Sequence, residues 1–356
     1  MKKIISKIWV LLLVIIGIGI LGFIIKTGYK IAAESKNDNR FSVAMVTDGG
    51  GINDQSFQQS AWEGLKEFAK ETKSKVSYVE CPQTSDFSIN IDKLADEKTD
   101  LIWGIGFKLA DTIETAAKTN PEINYALADF SFGDKNPDNV AGVVFRAEES
   151  SFLAGYIAAY TTKTNSVGFV GGIKSIVIDQ FEYGYRAGVA YAAKELGKPI
   201  EVKVQYAESF SDSAKGKAIA IKMFDSCDVI FHAAGGVGTG VIEAAKETGK
   251  YAIGVDMDQS YLAPKNVLTS AIKNVGKAID LISTRALNGE KIGGKTFSYG
   301  IKEGCVGIPE NNPNINEELR KKVSALQEKL VKEEIIPPGI LDAYNKFMEN
   351  LPNLKI

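Results

Sequence analysis

From Phe41 onward, short runs of consecutive apolar residues alternate with longer stretches in which apolar residues recur every three or four positions. Continuous runs at 41–46, 76–79, 101–105, 125–128 and 140–145 predict buried strands. A second series at 167–170, 200–204, 229–233, 251–255 and 267–271 predicts another set. Helical spacing falls between them, at 61–70, 109–118, 151–161, 183–194, 214–224, 241–246 and 275–287. A strand that is apolar at every position has no wet face. The alternation therefore predicts an α/β fold of parallel sheets covered by helices on both sides. Two series of similar length predict two similar α/β lobes. A charged helical pattern over 311–334, stopped by Pro337-Pro338-Gly339, reads as a solvated face packed on a lobe. The tail from Ile340 is only weakly amphipathic.

The segment ahead of Phe41 has a different character. Lys2, Lys3 and Lys7 precede an uncharged run over residues 8–25. As a helix that run would be about 27 Å long, close to the hydrocarbon thickness of a bilayer. The leading lysines predict a cytoplasmic N-terminus and place the chain from Lys30 outside. The run is longer than an ordinary secretory core, and Ile31-Ala32-Ala33 is a poor cleavage site. Residues 1–33 therefore read as a signal or anchor segment, an uncleaved anchor in preference to a cleaved signal, and 34–40 as a linker. The globular part is expected on the outer face of the cell membrane.

Composition narrows the chemistry. The 356 residues suffice for two cores, and 42 basic against 44 acidic residues, net charge −2, give no reason to expect nucleic acid. Cys81, Cys227 and Cys305 lie far apart, with no C-x-x-C and no histidine at ligand spacing, so they read as buried small hydrophobes and no metal site is expected. The single histidine, His232, sits in an apolar strand and reads as a structural imidazole. No Ser–His–Asp or Cys–His constellation can be built, so no catalytic residues are assigned, and ATP hydrolysis is expected on another subunit.

Ligands of open α/β sheets sit beyond the carboxyl ends of the strands. Asp48, Asn53 and Asp54 follow the first run, within Thr47-Asp48-Gly49-Gly50-Gly51-Ile52-Asn53-Asp54. A glycine turn leading to a helix usually suggests a phosphate cradle, but here the loop carries carboxylates and no Lys or Arg. Carboxylates repel phosphate and accept hydrogen bonds from hydroxyls and amines, so a neutral, hydroxyl-rich ligand is expected. Asp129 follows the run at 125–128, Asp256 the run at 251–255, and Gly235 and Gly236 the run at 229–233. The glycines suit close backbone approach to a ligand at a helix start. Phe57 and Phe181 occupy comparable places in the two series and are candidates to stack a flat heterocycle. Lys273, after the run at 267–271, could donate to a ligand oxygen or hold Asp256.

Together these segments resemble the basic membrane protein family of substrate-binding proteins, the purine-nucleoside-binding components of ABC transporters. The resemblance is carried by Gly51-Ile52-Asn53-Asp54-Gln55-Ser56-Phe57 with Trp62-Glu63-Gly64, and by Phe145-Arg146-Ala147-Glu148-Glu149 with Phe152-Leu153-Ala154-Gly155. Phe181-Glu182-Tyr183-Gly184-Tyr185-Arg186-Ala187-Gly188, Phe231-His232-Ala233-Ala234-Gly235-Gly236 and Gly254-Val255-Asp256-Met257-Asp258-Gln259 carry it further. It spans about Phe41 to Gly307 and implies a type I periplasmic-binding-protein fold, two lobes joined by crossover strands. The lobes are expected at 41–145 with 273–304 and at 146–272 with 305–338, followed by a tail at 339–356. It also implies ligand contacts from Asp48, Asn53, Asp54, Phe57 and Asp129 on one lobe and from Phe181, Gly235, Gly236 and Asp256 on the other, with Lys273 at the family's lysine position. Carboxylates would hold ribose hydroxyls and aromatics would flank the base. This chain departs from the family in having no lipid-modified cysteine after its apolar segment, and in Gln58, where Asn is more usual.

The function expected is therefore that of a tethered extracytoplasmic receptor. It would bind a nucleoside, a purine one by the resemblance, and deliver it to a permease and ATPase on other chains, with no cofactor. A nucleoside hydrolase using the aspartate cluster, and a sugar-binding or sensory module on the same scaffold, are the alternatives.

Overall fold

A computed structural model describes residues 39–310 and 313–354. The anchor expected over 1–33 and most of the linker lie outside the described residues. Among the described residues no helix is long and apolar enough to cross a membrane.

The first sheet is built from β1 (Ser42–Thr47), β2 (Lys75–Val79), β3 (Leu101–Ile105), β4 (Asn124–Ala128), β5 (Val140–Phe145) and β11 (Lys295–Tyr299), in the order β11-β5-β4-β3-β1-β2. The second holds β6 (Ser166–Gly171), β7 (Glu201–Tyr206), β8 (Val229–Ala233), β9 (Tyr251–Asp256), β10 (Val267–Lys273) and β12 (Val306–Gly307), in the order β12-β10-β9-β8-β6-β7. Every pairing is parallel except that of β10 with β12. The central strands β3, β6 and β8 are buried at every position, which is why their sequences run apolar without alternation. β2, β7 and β11 stand at or next to an exposed edge and carry polar residues.

The two halves repeat one winding, β2-β1-β3-β4-β5 and β7-β6-β8-β9-β10, so each sheet has a point where strand order reverses, β1/β3 and β6/β8. At such a point the connecting helices leave on opposite faces and a crevice opens at the carboxyl ends. The chain passes between the sheets between β5 and β6, between β10 and β11, and between β11 and β12. One ion-pair network ties these passages together. Arg146, just after β5, bonds Glu149 at 2.7 Å and Glu303 at 2.6 Å, while Glu149 accepts the Ile301 N–H and Glu303 the Gly300 N–H.

The helices are α1 (Phe57–Thr72), α2 (Asp86–Asp96), α3 (Ala110–Thr119), α4 (Ala147–Thr161), α5 (Ile176–Leu196), α6 (Ser213–Met223), α7 (Val237–Thr248), α8 (Val275–Leu287), α9 (Glu317–Val331) and α10 (Leu341–Asn350). Helix α2 lies where no helix is assigned above, although Phe87, Ile91, Leu94 and Ala95 supply the spacing and are its buried face. The most extensive helix contact is α4 on α5, where small residues let backbones touch: a Cβ on Gly188 would lie 2.0 Å from the Phe152 carbonyl oxygen. The tail is a packed element. In α10, Tyr344 stacks on the Arg186 guanidinium at 4.6 Å and Phe347 meets Phe152 edge-on at 5.9 Å. Lys194 then donates to the carbonyls of Leu351, Pro352 and Leu354.

Candidate functional site

The carboxyl ends of both sheets face one cavity of about 320 Å³, at the small end of the ~300–1,000 Å³ usual for ligand sites. Asp48, Asp54, Phe57, Asp129, Phe181, Gly235, Asp256 and Lys273 line it. Asn53 does not: it is exposed, and its carbonyl accepts from the Gln55 side chain. Gly236 stands just behind the lining, where a Cβ would come 3.9 Å from that of Asp54, so the glycine turn of one lobe rests against the loop of the other.

Asp48 leaves β1 and accepts from Gln58 Nε2 at 2.9 Å; the same amide nitrogen also donates to the Ile105 carbonyl. Room for this carboxylate comes from Gly106, whose φ of +120° and missing side chain leave space a Cβ would fill, 2.0 Å from Oδ2. Burial pushes Asp48 up to about 6, with Lys108 pulling the other way.

Asp54 has a different task. Its carboxylate accepts the N–H groups of Ser56, Gln58 and Gln59 at 2.9, 3.0 and 3.0 Å, and so caps the first turn of α1. Ser56 is the N-cap by position but makes no side-chain cap bond, because its hydroxyl crosses to the second lobe and donates to Asp256. Burial raises Asp54 and the three N–H bonds oppose it. With both oxygens engaged, Asp54 shapes the wall of the cavity more than it offers a free acceptor.

Asp129 and Asp256 are counterparts. Each follows or ends the fourth strand of its half and each holds left-handed backbone, φ 63° and 65°. That conformation strains a non-glycine residue, and Asp is among the few that tolerate it. Both point at Lys273, which ends β10: the ammonium is 2.6 Å from Asp129 Oδ2 and 3.7 Å from Asp256 Oδ1, with all three side chains nearly inaccessible. Three rings enclose the same ammonium, Phe57 at 4.4 Å, Phe181 at 5.5 Å and Phe145 at 5.6 Å. Burial lifts Asp256 to about 6, held down in part by Lys273 and the Ser56 hydroxyl.

Phe181 is 2% exposed and rests edge-on against Phe231. Phe57 is only half-buried, and so is a ring absent from the sequence-based set, Phe210, which lines the cavity with the Lys108 ammonium 5.3 Å from its centroid. Lys108 and Phe210 both lie just beyond strand ends, after β3 and β7. The strand-end rule would have found them had it been applied to cations and rings as well as to carboxylates. Ser56 carried no such signal, because its partner lies 200 residues away. His232 is fully buried, outside the lining, and held down to about 4 by that burial. Cys81, Cys227 and Cys305 are buried free thiols. Among the described residues no cluster of His, Cys, Asp and Glu could hold a metal ion.

A family model described as ABC transporter substrate-binding protein PnrA-like matches residues 41–340. Basic membrane protein A of Borreliella burgdorferi is 42% identical over 312 residues, 86% of this chain and 90% of that protein. A CD4+ T-cell-stimulating antigen of Listeria monocytogenes is 40% identical over 325 residues, 85% of this chain and 89% of that protein. Among solved structures, an ABC transporter system solute-binding protein from Aeropyrum pernix matches with a TM-score of 0.78 at 26% identity, covering 88% of this chain and 98% of that one.

Proposed function

We propose that this chain, which belongs to the PnrA-like family of ABC transporter substrate-binding proteins, captures a nucleoside between its lobes and delivers it to a membrane permease. The family is one of solute receptors outside the cytoplasm, not of enzymes. The finer reading rests on one observation: the cavity offers carboxylates from both lobes together with a half-buried ring from each. Asp48 and Asp256 accept from ligand hydroxyl and N–H groups, Lys273 donates, and Phe57 and Phe210 cover the faces of the base. Phe181 serves as a wall behind Lys273. Purine nucleosides are the favoured class through the family resemblance. ATP hydrolysis and the channel belong to other subunits: the G-x-x-x-x-G-K-T match at Gly289–Thr296 follows helix α8 and runs into strand β11, the reverse of the strand–loop–helix order a phosphate loop needs.

Calorimetric titration with guanosine, guanine and ribose tests this. Stoichiometric guanosine binding without release of free base is expected, with most of the affinity lost when the base is missing. Equal affinity for ribose would instead place the protein among sugar receptors of the same fold. Phe210→Ala is expected to weaken guanosine binding roughly 5- to 150-fold, since stacking of a base on a ring is worth about 1–3 kcal/mol. An unchanged dissociation constant would remove Phe210 from the site.

Binding should also depend on pH. Asp48 and Asp256 both stand at about 6 without ligand. A bound hydroxyl stabilises the ionised carboxylate and lowers that value, so the complex holds fewer protons than the free protein and acid opposes binding. Between about pH 7 and pH 5 affinity should fall about tenfold for each carboxylate that must be ionised, and should be flat above pH 7.5 or so. Titrations across this range check it; an affinity that rises on acidification would overturn the acceptor role.

A further inference from the structure

A second set of contacts joins the lobes outside the cavity, and it is built from side chains that do not line it. Gln259, in the loop after β9, is completely buried. Its Oε1 accepts the Val255 N–H at 3.0 Å and lies 2.9 Å from His232 Nε2, and its backbone N–H is held by Ser270 Oγ at 3.1 Å. A backbone N–H can only donate, so the side-chain amide has one sense: oxygen towards Val255, nitrogen away. His232 Nε2 must then carry the proton, leaving Nδ1 without a partner, and a buried imidazole with no acceptor for a second proton stays neutral, in keeping with its value of about 4. The amide nitrogen so oriented reaches across the lobe boundary and donates to the Gln55 carbonyl at 2.8 Å.

Gln55 is gripped a second time. Its Oε1 accepts the Tyr261 hydroxyl, and its own amide nitrogen is braced on the Asn53 carbonyl at 3.2 Å. It holds left-handed backbone, φ 59°, which turns its carbonyl and side chain towards the other lobe just before α1 begins. One strained residue of the first lobe is thus met by two donors of the second, one of them, Gln259, fixed by bonds within its own lobe.

We propose that Gln55, Gln259 and Tyr261 form a latch that holds the lobes closed and sets how long the ligand stays, without touching it. The donor of Gln259 is aimed by bonds internal to its own lobe, so the latch stands ready before closure and adds to the closed state whatever the ligand contributes. Opening exposes both partners to water, so the latch acts on release far more than on encounter.

The latch borrows the nucleoside reading only for its probe. Release of guanosine from the full chain is followed by stopped flow at pH 8. Gln259→Glu keeps the shape and both accepted bonds but turns an acceptor towards the Gln55 carbonyl; release roughly tenfold faster is expected, with the association rate little changed. Tyr261→Phe, at a half-exposed ring that cannot unfold the core, should speed release roughly two- to threefold. Folded variants that release guanosine at the wild-type rate overturn the latch, and Tyr261→Phe decides alone if Gln259→Glu does not fold. Wild type that fails to bind guanosine retires the nucleoside reading instead. Hydrogen exchange of the unliganded proteins then decides the latch: faster exchange in the loop around Gln55 in the variants supports it, and superimposable exchange overturns it.

Discussion

Asp256→Asn is expected to weaken guanosine binding about 10- to 150-fold near neutral pH, since a hydrogen bond to a charged acceptor is worth about 1.5–3 kcal/mol. Asparagine is the informative choice. Residue 256 has φ 65°, which Asn accepts and which Ala would take only with strain. Asn Oδ1 can still receive the Ser56 hydroxyl, and Lys273 keeps Asp129 at 2.6 Å, so neither contact partner is orphaned. What is lost is the second acceptor oxygen and the charge behind it. Asn also imitates the protonated carboxyl that Asp256 becomes below about 6. The variant should therefore shed the share of the pH dependence owed to Asp256 and keep the share owed to Asp48. Titration of the variant at several pH values checks both effects. Unchanged affinity would place Asp256 among the structural links between the lobes and outside ligand recognition.

The fold was legible because its strands are buried on both faces. β3 and β5 were marked to the residue by runs with no polar interruption, and β8 by a run broken only by the buried His232. Edge strands give no such signal: β11 reads Lys-Thr-Phe-Ser-Tyr and has solvent on one side, and β12 is two residues long. Helix starts were placed late for a related reason. The first turns of α1 and α5 are fixed by Asp54 and by Ser175, polar groups ahead of the first apolar position. In the site, strand ends identified residues that converge on one cavity, because topology alone brings them there. What they do once there depends on contacts no spacing encodes. Asp54 spends its oxygens on a helix terminus because Ser56 spends its hydroxyl on the other lobe. Phe181 is drawn behind Lys273 while Phe210, on a loop with no repeating pattern, stands at the cavity wall.

Lys273→Met should be the most damaging single change to the unliganded protein. Among the described residues Lys273 is the one cation within 4 Å of Asp129 and of Asp256, and all three side chains are almost wholly buried. Methionine fills similar space and suits the ring of Phe57, Phe145 and Phe181, so packing loss is small. The loss is electrostatic: two carboxylates left in a dry site without their cation. Breaking a buried pair from one side costs about 3–5 kcal/mol, or roughly 4–7 °C of melting temperature for a chain of this size. The sign of the pH dependence separates this cause from a packing defect. Removing the ammonium raises the folded-state value of Asp256 further above its unfolded one, because Lys273 is the largest influence now holding it down. A carboxyl raised in the folded state binds its proton more tightly folded than unfolded, so stability increases as pH falls through the raised value. The variant should accordingly melt lowest at alkaline pH and recover towards wild type near pH 5. A deficit that stays constant with pH would mean that the lysine stem was packing and the ammonium was not needed to neutralise the aspartates. Guanosine binding should fail with it at neutral pH, since two unneutralised carboxylates would repel each other across the space the ligand must enter.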